Sequence, residues 1–218
     1  NPLGSLNLLR SNPELTGLAV VTTLYYLAHQ SLPSMWALYT EYRYAWNRAD
    51  VGLSLAVVGV SAAIVSSLLV GPFVKRYGER RSLLWGLSFG IAGFFCFGLA
   101  TRGWFALASI PLIALWGIAG PAMQSLMSQC VDPSSQGKLQ GAINSVRALT
   151  GMAGPILFTQ IFAFAISRSS ALHLPGAPYE LAGCLLFCSI LVAAYVTRPR
   201  SAASLSAAAS STSPDSSP

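Results

Sequence analysis

Long apolar runs, almost free of Asp, Glu, Lys and Arg, alternate along this chain with short polar punctuation. They lie at Leu15–Tyr39, Val51–Val74, Ser82–Thr101, Gly103–Gln129, Leu139–Ser167 and Leu181–Thr197, the fifth carrying a lone Arg147. A bilayer core about 30 Å thick takes roughly 20 helical residues at about 1.5 Å each, within a range of about 17–25, so every run is long enough to span one. The pattern predicts an all-α membrane protein with six transmembrane helices.

The polar connections set the orientation. Arg10 precedes the first run, Lys75-Arg76-Tyr77-Gly78-Glu79-Arg80-Arg81 joins the second to the third, Lys138 follows the fourth, and Arg198 and Arg200 follow the sixth. Arg43, Arg48, Arg102 and Arg168 lie at the opposite ends, mixed with Glu41, Asp50 and Glu180. The excess of positive charge places the first set in the cytoplasm, with both termini, in an inner (plasma) membrane. Trp36, Tyr39, Tyr42, Tyr44, Trp46 and Trp104 gather at the outer ends and read as an interfacial aromatic belt.

Composition narrows the function. The 218 residues are 53% hydrophobic and only 9% charged, with a mean hydropathy of +0.56, whereas a soluble domain carries about a quarter charged residues. A soluble enzyme, a nucleic-acid binder and a disordered protein are thereby set aside. The net charge of +6 speaks to orientation, because the basic residues sit in short clusters between apolar runs. Cys96, Cys184 and Cys188 lie inside apolar runs and read as small hydrophobes, while Cys130 sits just past the fourth. No metal-ligand cluster, Walker-type phosphate loop, His-Glu-x-x-His motif or Ser/His/Asp set is visible, so neither a cofactor nor a metal is expected, and an enzyme is not.

Residues 1–13 read as the end of a cytoplasmic linker, 14–198 as the membrane unit and 199–218 as a disordered Ser/Ala-rich tail. The chain opens on Asn1 and not Met, which fits either a removed leader or a truncated chain.

Polar residues at helical spacing mark the faces that turn away from lipid. The fifth run gives Gln140, Asn144, Arg147, Gly151 and Gly154; the fourth gives Gly117, Pro121, Gln124 and Ser128; the first gives Thr22, Tyr26, His29 and Pro33, with Gln30 beside them. Gly52, Ala56, Gly59, Ala63 and Ser66 form a small stripe on the second, suited to close packing. A guanidinium at mid-helix costs about 2.5–3.5 kcal/mol. Arg147 therefore either faces a hydrated cavity or snorkels to the inner interface. His29 is either a proton relay or a neutral histidine bonded to a neighbouring helix. Gln124 and Asn144 contact either substrate or another helix. Gly151-Met152-Ala153-Gly154-Pro155 interrupts the fifth run, and with Pro33 and Pro121 it predicts bends in moving helices.

Gly71-Pro72-Phe73-Val74-Lys75-Arg76-Tyr77-Gly78-Glu79-Arg80-Arg81 resembles the short basic loop motif of the major facilitator superfamily, in the copy between the second and third helices of its C-terminal half. Lys75 stands in place of that motif's usual acid. Gly151, Gly154 and Pro155 resemble the same half's glycine-proline motif. The chain is more closely similar to the tetracycline-resistance-like drug:proton antiporters, through Trp36 with Glu41 and Arg43, Thr101-Arg102-Gly103-Trp104, Pro121-Ala122-Met123-Gln124, Gln136-Gly137-Lys138-Leu139-Gln140-Gly141 and Gly154-Pro155-Ile156-Leu157-Phe158. That resemblance implies a secondary transporter that exports a small molecule or drug against protons by alternating access, with this chain forming the C-terminal six-helix half; the alternatives are a non-transporting truncated membrane protein and a small-solute importer of the same superfamily. The implied partners are lipid, a small-molecule substrate, protons and an N-terminal six-helix half. Gly90 and Ala62 occupy positions where tetracycline exporters carry an aspartate and a histidine, and Arg147 replaces a small polar residue.

Overall fold

The computed structural model describes Leu9 and residues 12–167 and 174–198. The expectations placed on Arg10, Arg168, Arg200, most of the lead-in and the Ser/Ala-rich tail lie outside these residues. The described architecture is all-helical.

Asn12 caps α1 (Pro13–His29), its side chain accepting from the Glu14 amide at 3.0 Å. Pro13 fills the first turn, where its missing N–H has no partner to lose, and Glu14 sits at the positive end of the helix dipole. The first run is not continuous to Tyr39 as predicted. It breaks at Gln30 and resumes as α2 (Ser31–Tyr44), because Pro33 has no N–H to offer the His29 carbonyl four residues back. Gln30 tightens the turn by donating to the Leu27 carbonyl at 3.1 Å. Ala45, in the left-handed region at φ 52°, ends α2.

A reciprocal cap starts α3 (Arg48–Ile64): Asn47 accepts from the amides of Ala49 and Asp50, and Asp50 accepts from the Asn47 amide at 3.1 Å. A π-helical turn at Val65–Leu69 leads into α4 (Val70–Leu99), next to Pro72, which denies the Leu68 carbonyl its donor. The basic segment expected to be a loop is helical on both sides of a single residue, Gly78, whose φ of 77° and ψ of 164° break α4 into two limbs. Only glycine takes that conformation readily. The chain reverses there. A straight helix would hold Val65 and Gly86 about 31 Å apart, yet Val65 lies beside Gly117 and Gly86 against Ala119.

The fourth run is bent into α5 (Gly103–Leu115), a 3-10 turn at Trp116–Ile118 and α6 (Ala119–Gln129). A short 3-10 turn (Pro133–Ser135), α7 (Gln136–Ile166) and α8 (Ala177–Val196) complete the order. Against an expectation of six spans, four helical stretches among the described residues are long and apolar enough to cross a membrane: Arg48–Leu99, Gly103–Gln129, Pro133–Ile166 and Ala177–Val196. Two features account for the difference. The break at Gln30 leaves α1 with 17 residues, and Gly78 interrupts Arg48–Leu99 without ending its helical run.

The core lies where the second limb of α4 meets α5, α6 and α8. Gly86, Gly90 and Gly93 let the backbones approach: an added Cβ would lie 2.6 Å from the Ala119 nitrogen, 2.9 Å from Trp116 Cδ1 and 2.9 Å from the Ile113 nitrogen, respectively. At one end of the bundle the Tyr39 hydroxyl reaches the Phe97 carbonyl at 3.2 Å, Tyr44 donates to the Ala100 carbonyl at 3.0 Å, and Gly98 abuts Gly176. At the other, Arg80 Nε donates to Thr197 Oγ1 at 3.2 Å, and Glu79 accepts from Ser125 at 3.3 Å and Gln129 at 3.4 Å. Gly17 there packs on Val196.

Two packing expectations need correction. The small stripe on α3 does not pack inside this chain: Gly52, Ala56, Gly59, Ala63 and Ser66 are all exposed, and a Cβ added at Gly52 or Gly59 would meet nothing within 4 Å. In the aromatic group, Trp36 and Tyr39 turn inward. Trp36 stacks on Phe97 and donates to Ser54 Oγ at 2.9 Å, whereas Tyr42 and Trp104 remain exposed.

Candidate functional site

Three elements bring the inward polar residues together. The end of α1 supplies Tyr26 and His29, followed by Gln30 at the break; the bent fourth run supplies Gly117, Pro121 and Gln124; α7 supplies Arg147. These residues line a cavity of about 550 Å³. A second compartment of about 560 Å³ adjoins it, walled by apolar side chains that include Leu32, Trp36, Leu55, Ile113 and Trp116. Tyr25, His29, Pro33 and Gly117 line both.

Arg147 is the charged group of the polar compartment. Its Nη2 donates to the Tyr26 hydroxyl at 2.7 Å, and its Cζ lies 4.7 Å from the centre of the Tyr26 ring, so one tyrosine offers both an acceptor and a π face. Among the described residues it has no carboxylate partner. Arg147 lines the polar compartment. His29 is exposed, 5.6 Å from the Trp116 ring centre, and makes no hydrogen bond among the described residues. Its side chain is thus not bonded to a neighbouring helix here. Trp116 in turn packs on Tyr25 at 4.6 Å and lines the apolar compartment.

Gln124 Nε2 donates to Gln140 Oε1 at 3.1 Å, tying the fourth run to α7. Gln30 lies over α7, where Gly154 is so close that an added Cβ would overlap the Gln30 side chain; Gly151 sits 3.8 Å from Gln30 Nε2 by the same measure. These two glycines therefore make room for Gln30. Asn144 is exposed on the same helix but does not line the cavity. Thr22, expected to face inward with them, is buried instead, its hydroxyl 3.3 Å and 3.2 Å from the sulfurs of Met123 and Met127. The bend expected at Pro155 does not end the helix: α7 is unbroken from Gln136 to Ile166, and Thr159 donates to the Pro155 carbonyl at 2.6 Å.

The motif residues lie apart from the cavity. Gly71, Arg76 and Arg81 are exposed, Arg76 stacks over Tyr77 at 5.8 Å, Gly78 makes the reversal, and Arg80 joins α4 to the end of α8. Cys130 is half-buried at the end of α6, and burial, with Glu14 second, pushes its thiol above the usual range. Among the described residues no three His, Cys, Asp or Glu side chains cluster in a way that would hold a metal; His173 lies outside them.

Sequence reasoning placed Tyr26 in a stripe without seeing it as the partner of Arg147. It also passed over Trp116 in the wall of the apolar compartment, and it named Glu79 in the basic motif without foreseeing that it accepts from Ser125 and Gln129 and so ties α4 to α6. Tyr26 had a usable signal, its position three residues before His29. Trp116 and Glu79 had none, because their contacts join residues far apart in the chain.

A profile of the Major Facilitator Superfamily matches residues 18–214. The tetracycline resistance protein, class C, of Escherichia coli is 34% identical over 172 residues, 79% of this chain and 43% of its own. The class G protein of Vibrio anguillarum is 37% identical over 159 residues, 72% of this chain and 40% of its own. Hippocampus abundant transcript-like protein 1 of Bos taurus is 25% identical over 210 residues, 90% of this chain and 42% of its own. The chain thus spans about two fifths of the length of the curated relatives it matches. With a match covering nearly all of its helices, and a polar cavity inside an apolar helical bundle, this chain is a multi-pass membrane protein of the Major Facilitator Superfamily.

Proposed function

We propose that the chain is the C-terminal six-helix half of a secondary active transporter that exports a small molecule or drug in exchange for protons. The six spans are α1 with α2, the two limbs that Gly78 separates, α5 with α6, α7 and α8, with both termini at the cytoplasmic face of the inner membrane. Residues 1–13 then belong to the linker between halves and 199–218 to a cytoplasmic tail. The single observation that carries the reading is the polar cavity: Gln30, His29, Gln124 and Arg147 converge in a chain otherwise built to meet lipid, an arrangement that hydrocarbon would penalise and a transport pathway needs. Asn144 extends that face toward the missing half. Names of the relatives support drug efflux, and the breaks at Gln30, Val65–Leu69 and Trp116–Ile118 supply bending points for alternating access.

The test is tetracycline accumulation in everted vesicles under an imposed pH gradient. It is run with the chain alone and with the chain joined to the N-terminal portion of the class C relative. The expected result is accumulation only in the joined form, abolished by a protonophore and reduced in Arg147→Gln at equal membrane abundance. A joined protein that inserts normally and accumulates nothing overturns the transport reading; transport by the monomeric chain alone overturns the half reading.

A further inference from the structure

We infer that the paired compartments take an organic anion with an apolar body, its anionic group held by Arg147 and its body seated against Trp116. The inference rests on the cavity reading above, and it adds the class of ligand. A guanidinium carries five N–H donors, and the Arg147 side chain spends one of its donors on the Tyr26 hydroxyl. The rest have no acceptor among the described residues. The sign of the site is unopposed: the described acids, Glu14, Glu41, Asp50, Glu79, Asp132 and Glu180, line neither compartment. Gln30 and Gln124 add neutral amides that can donate to the same group.

The apolar compartment fixes the other end of the ligand. It shares Tyr25, His29, Pro33 and Gly117 with the polar one, so a molecule can occupy both without crossing a wall. At about 560 Å³ and 550 Å³ each compartment falls in the range, about 300–1,000 Å³, that holds small molecules. A purely polar ion would leave the Trp36 and Trp116 side empty. A cation would face Arg147 with no counter-charge. Such an anion is either a soluble solute or an anionic lipid, and both share the head-and-body chemistry.

The full chain in phosphatidylcholine nanodiscs, dialysed to equilibrium against labelled 2-naphthoate, 2-naphthamide, 2-naphthylmethylammonium or acetate, tests this directly. The expected result is that naphthoate binds about tenfold to a hundredfold tighter than the amide, the ammonium or acetate, and that Arg147→Gln removes that margin while amide binding, the control for an intact cavity, stays unchanged. Including phosphatidylglycerol separates the sources: displaced naphthoate identifies a lipid, undisturbed naphthoate a soluble solute. Ammonium binding as tightly as naphthoate overturns the inference. So does naphthoate binding that survives Arg147→Gln, acetate binding equal to naphthoate, or no binding to a folded chain. Because no gradient is used, a chain that binds naphthoate and moves nothing refutes the transport reading alone. One that exports cationic drugs and ignores naphthoate refutes only the inference.

Discussion

Two limbs of the same helical hairpin carry the same sequence signature and use it differently. On α3, Gly52, Ala56, Gly59 and Ala63 recur at helical spacing; on the second limb of α4, Gly86, Gly90 and Gly93 do the same. The second stripe is buried against Ala119, Trp116 and Ile113, with no room for a Cβ, while the first faces outward with nothing within 4 Å of its two glycines. Small residues let backbones approach, but in a membrane they bring no hydrophobic drive of their own. What decides their role is whether a partner exists within the chain. The α4 stripe is a finished interface. The α3 stripe is a shaped surface, which fits a chain that spans about two fifths of its relatives' length.

Three substitutions test the contrast. Gly86→Leu drives a side chain into the Ala119 backbone, which cannot yield as a side chain would, and is expected to cost about 3 kcal/mol or more. Its signature is a lower thermal midpoint and poor recovery of folded chain from membranes. Gly78→Ala attacks the joint between the limbs, where φ is 77°; a strain of about 1–3 kcal/mol is expected, read as lower denaturant resistance with the cavity residues intact. Gly59→Leu should change the stability of this chain by no more than about 0.5 kcal/mol. A large loss at Gly59 in the isolated chain would show that α3 already has a partner, and the contrast would fail.

Much of this was legible before the coordinates. The apolar runs located the helices, and the polar stripes brought Gln30, His29, Gln124 and Arg147 to one cavity, because helical periodicity turns residues three and four apart onto one face. The break in the first run was legible in principle from Pro33. A reversal confined to Gly78 was not, since basic residues around a glycine look the same in a loop as at the ends of two helices. Nor did periodicity distinguish the two glycine stripes: it reports which side of a helix a residue is on, and nothing about what stands opposite. Thr22 fell on the buried side for that reason, taken by Met123 and Met127 of a distant helix.

Pro33 and Pro121 have one further effect. Each removes the donor for the carbonyl four residues earlier, at His29 and Gly117, and both of those residues border both compartments. Hydrocarbon cannot satisfy a bare carbonyl, so each such group calls for water or a ligand. The polar compartment has room for on the order of ten waters. The same two prolines that bend the helices therefore also free carbonyls that water can satisfy along the path between them: flexibility and the demand for water are set at the same positions, and Pro33→Ala is expected to lower both.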